Sequence, residues 1–173
     1  MKKANNLALI IDFLFVINAL LIIMCPLLEI SNLKWILIAT FLAYGFGSAF
    51  KFIILKNYYD FENLYIAISQ LVFSIVLYGF DIVSSNKSLA FFLIIWILVL
   101  SIIKLIKSDY FHDLKNMLWL AKVLSLIVFM LTGVVTCLNF RFGNQMSIVV
   151  IGYFFLINYI IELLNEIFRI IKE

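Results

Sequence analysis

Charge, proline, glycine and histidine are all scarce in this chain. Only 13% of its 173 residues are charged, and it holds one Pro, one His, two Cys and six Gly. A soluble domain carries about 25% charged and 45–50% apolar residues, whereas 66% are hydrophobic here and the mean hydropathy is +1.16. That much apolar surface cannot be hidden in a water-soluble fold of this length. The shortage of Pro and Gly excludes a flexible linker, a low-complexity tail or a second soluble domain, so 1–173 reads as a single transmembrane domain.

The missing motifs exclude most chemistry. There is no CxxC pair, and a lone His112 cannot complete the common zinc arrangements. A dinucleotide glycine fingerprint, a hydrolase nucleophile motif, HExxH and paired intramembrane aspartates are also absent. We therefore expect no enzyme and no cofactor, catalytic residue or metal ligand. Gly45 to Lys51 lacks the spacer and the Lys-Ser/Thr ending of a phosphate loop. The net charge of +3 does not imply nucleic acid, because the lysines are scattered between apolar runs without interleaved stacking aromatics. His112, between Asp109 and Asp113, reads as part of a solvated cytoplasmic turn, with weak pH sensing as the alternative.

What is present is a series of apolar runs long enough to cross a bilayer, which takes about 20 residues each. Six fit: 7–27, 34–55, 63–82, 88–107, 117–138 and 146–168. The connections are too short for a domain, so consecutive helices form antiparallel hairpins in an all-α six-helix bundle. Met1-Lys2-Lys3 before the first run resembles a secretory signal, but Leu7 to Leu28 is long enough to span and lacks a small-x-small cleavage site, so the helix is expected to be retained. Of the 13 Lys and Arg residues, only Lys34, Lys87 and Arg141 fall on one side of the six spans; the other ten share the opposite side. Basic loops stay inside, so both termini are expected in the cytoplasm, in a bacterial inner or plasma membrane. Tyr58, Tyr59, Tyr65, Tyr110, Trp35 and Trp119 lie near span ends as an interfacial belt, and the last helix should emerge as an amphipathic surface helix through Glu166, Arg169 and Lys172.

The three helix pairs superimpose at offsets of 53 and then 57 residues. Ser48 then matches Ser101 and Asn158; Pro26 matches Gly79 and Thr136; Lys51 matches Lys104; and Asp12 matches Lys122. The chain reads as three copies of one hairpin, against the alternative that any regular alternation of apolar runs and loops gives an apparent period. Three parallel hairpins differ from the inverted repeats of many transporters.

The run from Ile17 to Pro26, with Val150 to Glu162, resembles the first and last elements of the HdeD-like short-repeat membrane proteins (the DUF308 group). The resemblance spans nearly the whole chain at the level of pattern, although this chain is poorer in glycine. It implies a six-helix, stress-associated membrane protein and supplies no catalytic residues.

Few polar groups sit at membrane depth, where charge is costly and finds a partner. Asp12 and Lys122 lie at similar depth and are expected to form an ion pair; snorkelling of each to the interface and a proton or ion relay are the alternatives. If the even helices converge, Ser48, Ser101 and Asn158, with Glu162 one turn beyond, make a small polar cluster for packing or for ligand coordination. Gly45, Gly47, Ser48 and Ala49 form a small-residue patch suited to close helix packing within the chain or between protomers. Cys25 and Cys137 fall near the outer ends of odd helices, where two reduced packing cysteines are expected and a disulfide is the alternative. Asn86-Lys87-Ser88 fits a glycosylation sequon, a triplet that also arises by chance.

Two functional expectations follow. The first is a non-enzymatic membrane protein, stress-associated or the sensor or anchor subunit of a larger assembly such as a defence system, surrounded by lipid and self-associated or joined to partners. The second is a small transporter, channel or permease subunit using Asp12, Lys122 and the Ser48, Ser101 and Asn158 set.

Overall fold

The computed structural model describes residues 2–30, 32–55, 61–113, 118–138 and 144–172. Six helices account for almost all of them: α1 (Lys2–Met24), α2 (Leu33–Leu55), α3 (Glu62–Gly79), α4 (Asn86–Asp113), α5 (Leu118–Leu138) and α6 (Asn144–Lys172). All six are long and apolar enough to cross a membrane, and no strand occurs among the described residues. The chain is an all-α, multi-pass bundle of the membrane-spanning type.

Boundaries shift where hydropathy is a poor guide. Pro26 does not close α1 with a loop; Cys25–Leu28 continue as a 3-10 turn with Pro in its first positions, where its missing N–H is not needed. That turn ends on Glu29, whose φ of 59° is left-handed and whose N–H returns to the carbonyls of Cys25 and Pro26. After α3 a second 3-10 turn covers Ile82–Ser84, so the third helix stops before the expected residue 82. Residues 108–113, expected in a loop, extend α4, which places His112 and its two aspartates on an exposed helix end. At 28 and 29 residues, α4 and α6 reach about 42–44 Å, beyond a hydrocarbon core of about 30 Å. Lys56, Tyr58, Tyr59, Lys115 and Arg141 lie outside the described residues. Trp35 and Tyr65, of the expected aromatic belt, are exposed at helix ends.

Neighbouring helices pack round a closed ring, α6 against α1, but unequally. The extensive interfaces are α2 with α3, α4 with α5 and α6 with α1, while the two helices of each sequence hairpin touch more lightly. Glycine explains part of this. A Cβ on Gly45 would stand 3.1 Å from Gln70 Cβ of α3, one on Gly133 would stand 2.7 Å from Ile97 of α4, and one on Gly152 would stand 2.6 Å from Ile23 of α1. Each extensive interface thus has a position where the absent side chain lets two helices approach. Gly47 lies against Phe15 and Ile11 of α1 instead, so the small-residue patch, with Ser48 buried and Ala49 half-buried, serves contacts inside the chain.

The even helices form the inside. Their spans are 44% buried, against 28–33% for the odd ones, and their aromatic rings meet at the centre. Phe41 stacks on Trp96 at 5.0 Å, and Trp96 lies 5.6 Å from Phe155. Phe129 and Phe154 complete the cluster around Trp96. The indole N–H of Trp96 donates to Gln70 Oε1 on α3 at 3.2 Å, while Gln70 Nε2 has no partner and the residue is fully buried. Outward-facing Leu, Ile, Val and Phe side chains cover the perimeter, as a hydrocarbon environment requires.

Candidate functional site

The even number of spans brings the start of α1 and the end of α6 to one end of the bundle, together with Lys51, Lys104, Lys107 and Lys122. We term this the basic end. Just inside it lies a charged layer. Lys51 Nζ donates to both carboxylate oxygens of Asp12, at 2.7 and 3.0 Å. Lys104 Nζ reaches Glu162 Oε1 at 2.5 Å, and the same carboxylate accepts from the Tyr44 hydroxyl at 2.9 and 3.2 Å. Lys122 Nζ meets Glu62 Oε2 at 3.4 Å. Lys104, Lys107 and Lys51 also lie within electrostatic reach of Glu62, and Glu162 and Glu166 within reach of Asp12. The groups therefore act on one another as a single layer.

Each helix contributes one member to these three pairs: Asp12 on α1 with Lys51 on α2, Glu62 on α3 with Lys122 on α5, and Lys104 on α4 with Glu162 on α6. Access is graded. The Asp12 side chain is 1% exposed, Glu162 18% and Lys122 29%, so the layer is more open at α5 and α6 than at Asp12. Immediately deeper, Phe15, Tyr44 and Tyr159 pack with centroids 4.9–5.3 Å apart, and beyond them stands the Trp96 cluster.

The expected Asp12 and Lys122 pair does not form. Depth alone suggested it, but α1 packs on α6 and α2 rather than on α5, and Asp12 takes the lysine its nearer neighbour presents. The expected polar cluster is corrected as well. The even helices do converge, yet Asn158 turns to α5, donating to Thr132 Oγ1 at 3.2 Å and to its own helix at Phe154 O at 2.7 Å. Ser48 is buried without joining it, and Ser101 Oγ is buried with no partner. Of the four residues, Glu162 alone enters the charged layer, through Lys104 and Tyr44. Lys51, Glu62, Lys104 and Tyr44 were not singled out from sequence as partners; the one available signal was the match of Lys51 with Lys104 under the repeat.

No protein-family model, curated protein or solved structure matches the chain.

Two smaller features lie away from the charged layer. Cys25 and Cys137 are both free thiols. Asp109, His112 and Asp113 hold their ligand atoms within 4.8 Å of one another at the exposed end of α4, with the His112 ring standing edge-on to Trp119 at 5.2 Å.

Proposed function

We propose that this multi-pass protein is a non-enzymatic sensor or anchor subunit of a membrane assembly rather than a catalyst. The observation that carries the reading is the internal matching of the charged layer: Asp12, Glu62 and Glu162 each take a lysine from another helix. The interior beyond is filled by aromatic side chains. Charges consumed in this way hold helices in register. The resemblance to the HdeD-like group points the same way, toward a stress-associated role. Alternation of extensive and light interfaces around the ring supports a threefold hairpin repeat.

The lysine count orients the bundle with its basic end, and both termini, in the cytoplasm. Self-association or attachment to a partner belongs to this reading, because the connections between the six helices are short. The test is reconstitution. Purified protein in liposomes should carry no ion, proton or small-solute flux, and cells lacking it should survive acid or envelope stress less well. A flux abolished by Asp12→Asn or Lys51→Met would overturn the reading.

That outcome would favour a second reading, a small transporter or channel, which the partial exposure of Glu162 and Lys122 within the bundle supports.

A further inference from the structure

The packing and the ion pairs divide the molecule in a way the chain order conceals. The extensive interfaces define three two-helix bodies: α2 with α3, α4 with α5, and α6 with α1. Each contains one of the close approaches at Gly45, Gly133 and Gly152. Every ion pair of the charged layer crosses between bodies, and each crosses a different boundary. Asp12 and Lys51 join the α6/α1 body to the α2/α3 body; Glu62 and Lys122 join α2/α3 to α4/α5; Lys104 and Glu162 join α4/α5 to α6/α1. The Tyr44 hydroxyl on Glu162 adds a second tie across the boundary of α2/α3 with α6/α1.

Covalent connections follow the complementary rule. The chain passes from one body to the next only at the end opposite the basic end: between α1 and α2, between α3 and α4, and between α5 and α6. At the basic end it turns only within bodies, from α2 to α3 and from α4 to α5. The first connection carries the left-handed Glu29 just after the turn that packs on α1 and α6, and the second carries the 3-10 turn that packs on α4. At that opposite end Glu29, Lys34, Asp81 and Lys87 form no ion pair among the described residues. Among the described residues, ion pairs between bodies therefore occur at the basic end alone, beside the lighter packing of Gly47 on Phe15 and of Phe15, Tyr44 and Tyr159 on one another.

We propose that the bundle is a three-bladed iris: rigid helix pairs hinged at the far end and latched at the basic end by three ion pairs. Opening separates Lys51 from Asp12, Lys122 from Glu62 and Lys104 from Glu162. It exposes the layer of Phe15, Tyr44 and Tyr159 to the basic side, including the Tyr159 hydroxyl, which is buried without a partner in the closed form. Stiff bodies with short hinges move by closure of this kind, and charge pairs set between bodies are bistable contacts, made or broken. The device serves a sensor and a transporter equally.

Spin-label distances in nanodiscs test it, with Cys25 and Cys137 replaced by alanine. Phe50, Ile106 and Leu164 are exposed near the basic ends of α2, α4 and α6, one on each body, and Trp35, Phe91 and Met146 are exposed near the far ends of the same helices. Labels at Phe50 and Tyr65 report within one body. Neutralising all three pairs, with Asn or Gln for the acids and Met for the lysines, should lengthen and broaden the three basic-end distances. The far-end distances and the Phe50 to Tyr65 distance should stay fixed. Exchanging Asp12 and Lys51 in an otherwise native chain should keep the closed distances, separating loss of the latch from loss of fold. Basic-end distances unchanged by neutralisation would overturn the proposal, as would equal lengthening at both ends or within a body.

Discussion

Glu162 is shared by Lys104 and Tyr44, which reach it from two different even helices. A carboxylate with two donors from different helices is a junction, and its neighbours in the layer, Asp12 with Lys51 and Glu62 with Lys122, likewise join groups far apart in sequence. The pairs are therefore coupled, and removing one member should be felt beyond its own partner.

Asp12→Asn leaves Lys51 desolvated and unpaired. Breaking a buried pair from one side costs about 3–5 kcal/mol, while replacing both members with groups of similar volume costs far less. We expect Asp12→Asn to lose about that much stability in a detergent unfolding titration, and adding Lys51→Met to restore most of it. A double variant as unstable as the single one would show that the pair contributes nothing as a pair.

At Gly152 an added methyl would stand 2.6 Å from Ile23 Cγ1 and 3.1 Å from the Ile23 backbone nitrogen, which cannot move aside. Gly152→Ala should cost about 1–3 kcal/mol by overpacking and loosen α6 from α1. Gly79→Ala, with nothing within 4 Å, should stay within about 0.5 kcal/mol of the parent. Thermal unfolding of the two variants side by side checks the contrast.

Gln70 holds the Trp96 indole through Oε1 while its own Nε2 is unpartnered. Gln70→Met strands the indole N–H and should cost about 1–3 kcal/mol. Removing both groups together, with Trp96→Phe, should cost less than the sum of the single changes, because no polar atom is then left behind. A double-mutant cycle on unfolding free energies measures the difference.

Glu29 adopts a φ of 59°, which costs a residue with a Cβ about 1–2 kcal/mol. Glu29→Gly removes that strain but adds freedom to the unfolded chain, so we expect a gain of up to about 1 kcal/mol. Glu29→Val, β-branched, should lose stability. Melting temperatures that rank Val above Gly would contradict this account.

Cys25 and Cys137 are free thiols near the end opposite the basic end. With that end outside, a membrane-impermeant maleimide should label both in intact cells. Labelling confined to inside-out vesicles would reverse the proposed orientation.

The six helices were legible because apolar runs broken by charge report directly on what can sit in lipid. Their ends were less so. Residues 108–113 carry polar and charged groups and read as a loop, but a helix leaving the bilayer keeps its backbone hydrogen bonds while its hydropathy falls. The depth of Asp12 and Lys122 was also legible, since depth is a count along the chain. Their partners were not, because pairing depends on which way each side chain faces and which helices stand beside it. Nothing in the hydropathy of α1 says that it packs on α6. The pairing of Lys51 with Asp12, within one sequence hairpin, was as available to reasoning as the pairing with Lys122, and only the packing decides between them.

The extensive contact between α1 and α6 has a consequence for biogenesis. Of these six helices α1 is made well before its main partner α6, so its surface around Ile22 and Ile23 stays uncovered while the four helices between them insert. Lys51 comes much earlier, on α2, so the Asp12 and Lys51 pair needs only α1 and α2. We expect it to act as a placeholder during synthesis, holding α1 in the bilayer until α6 closes the ring.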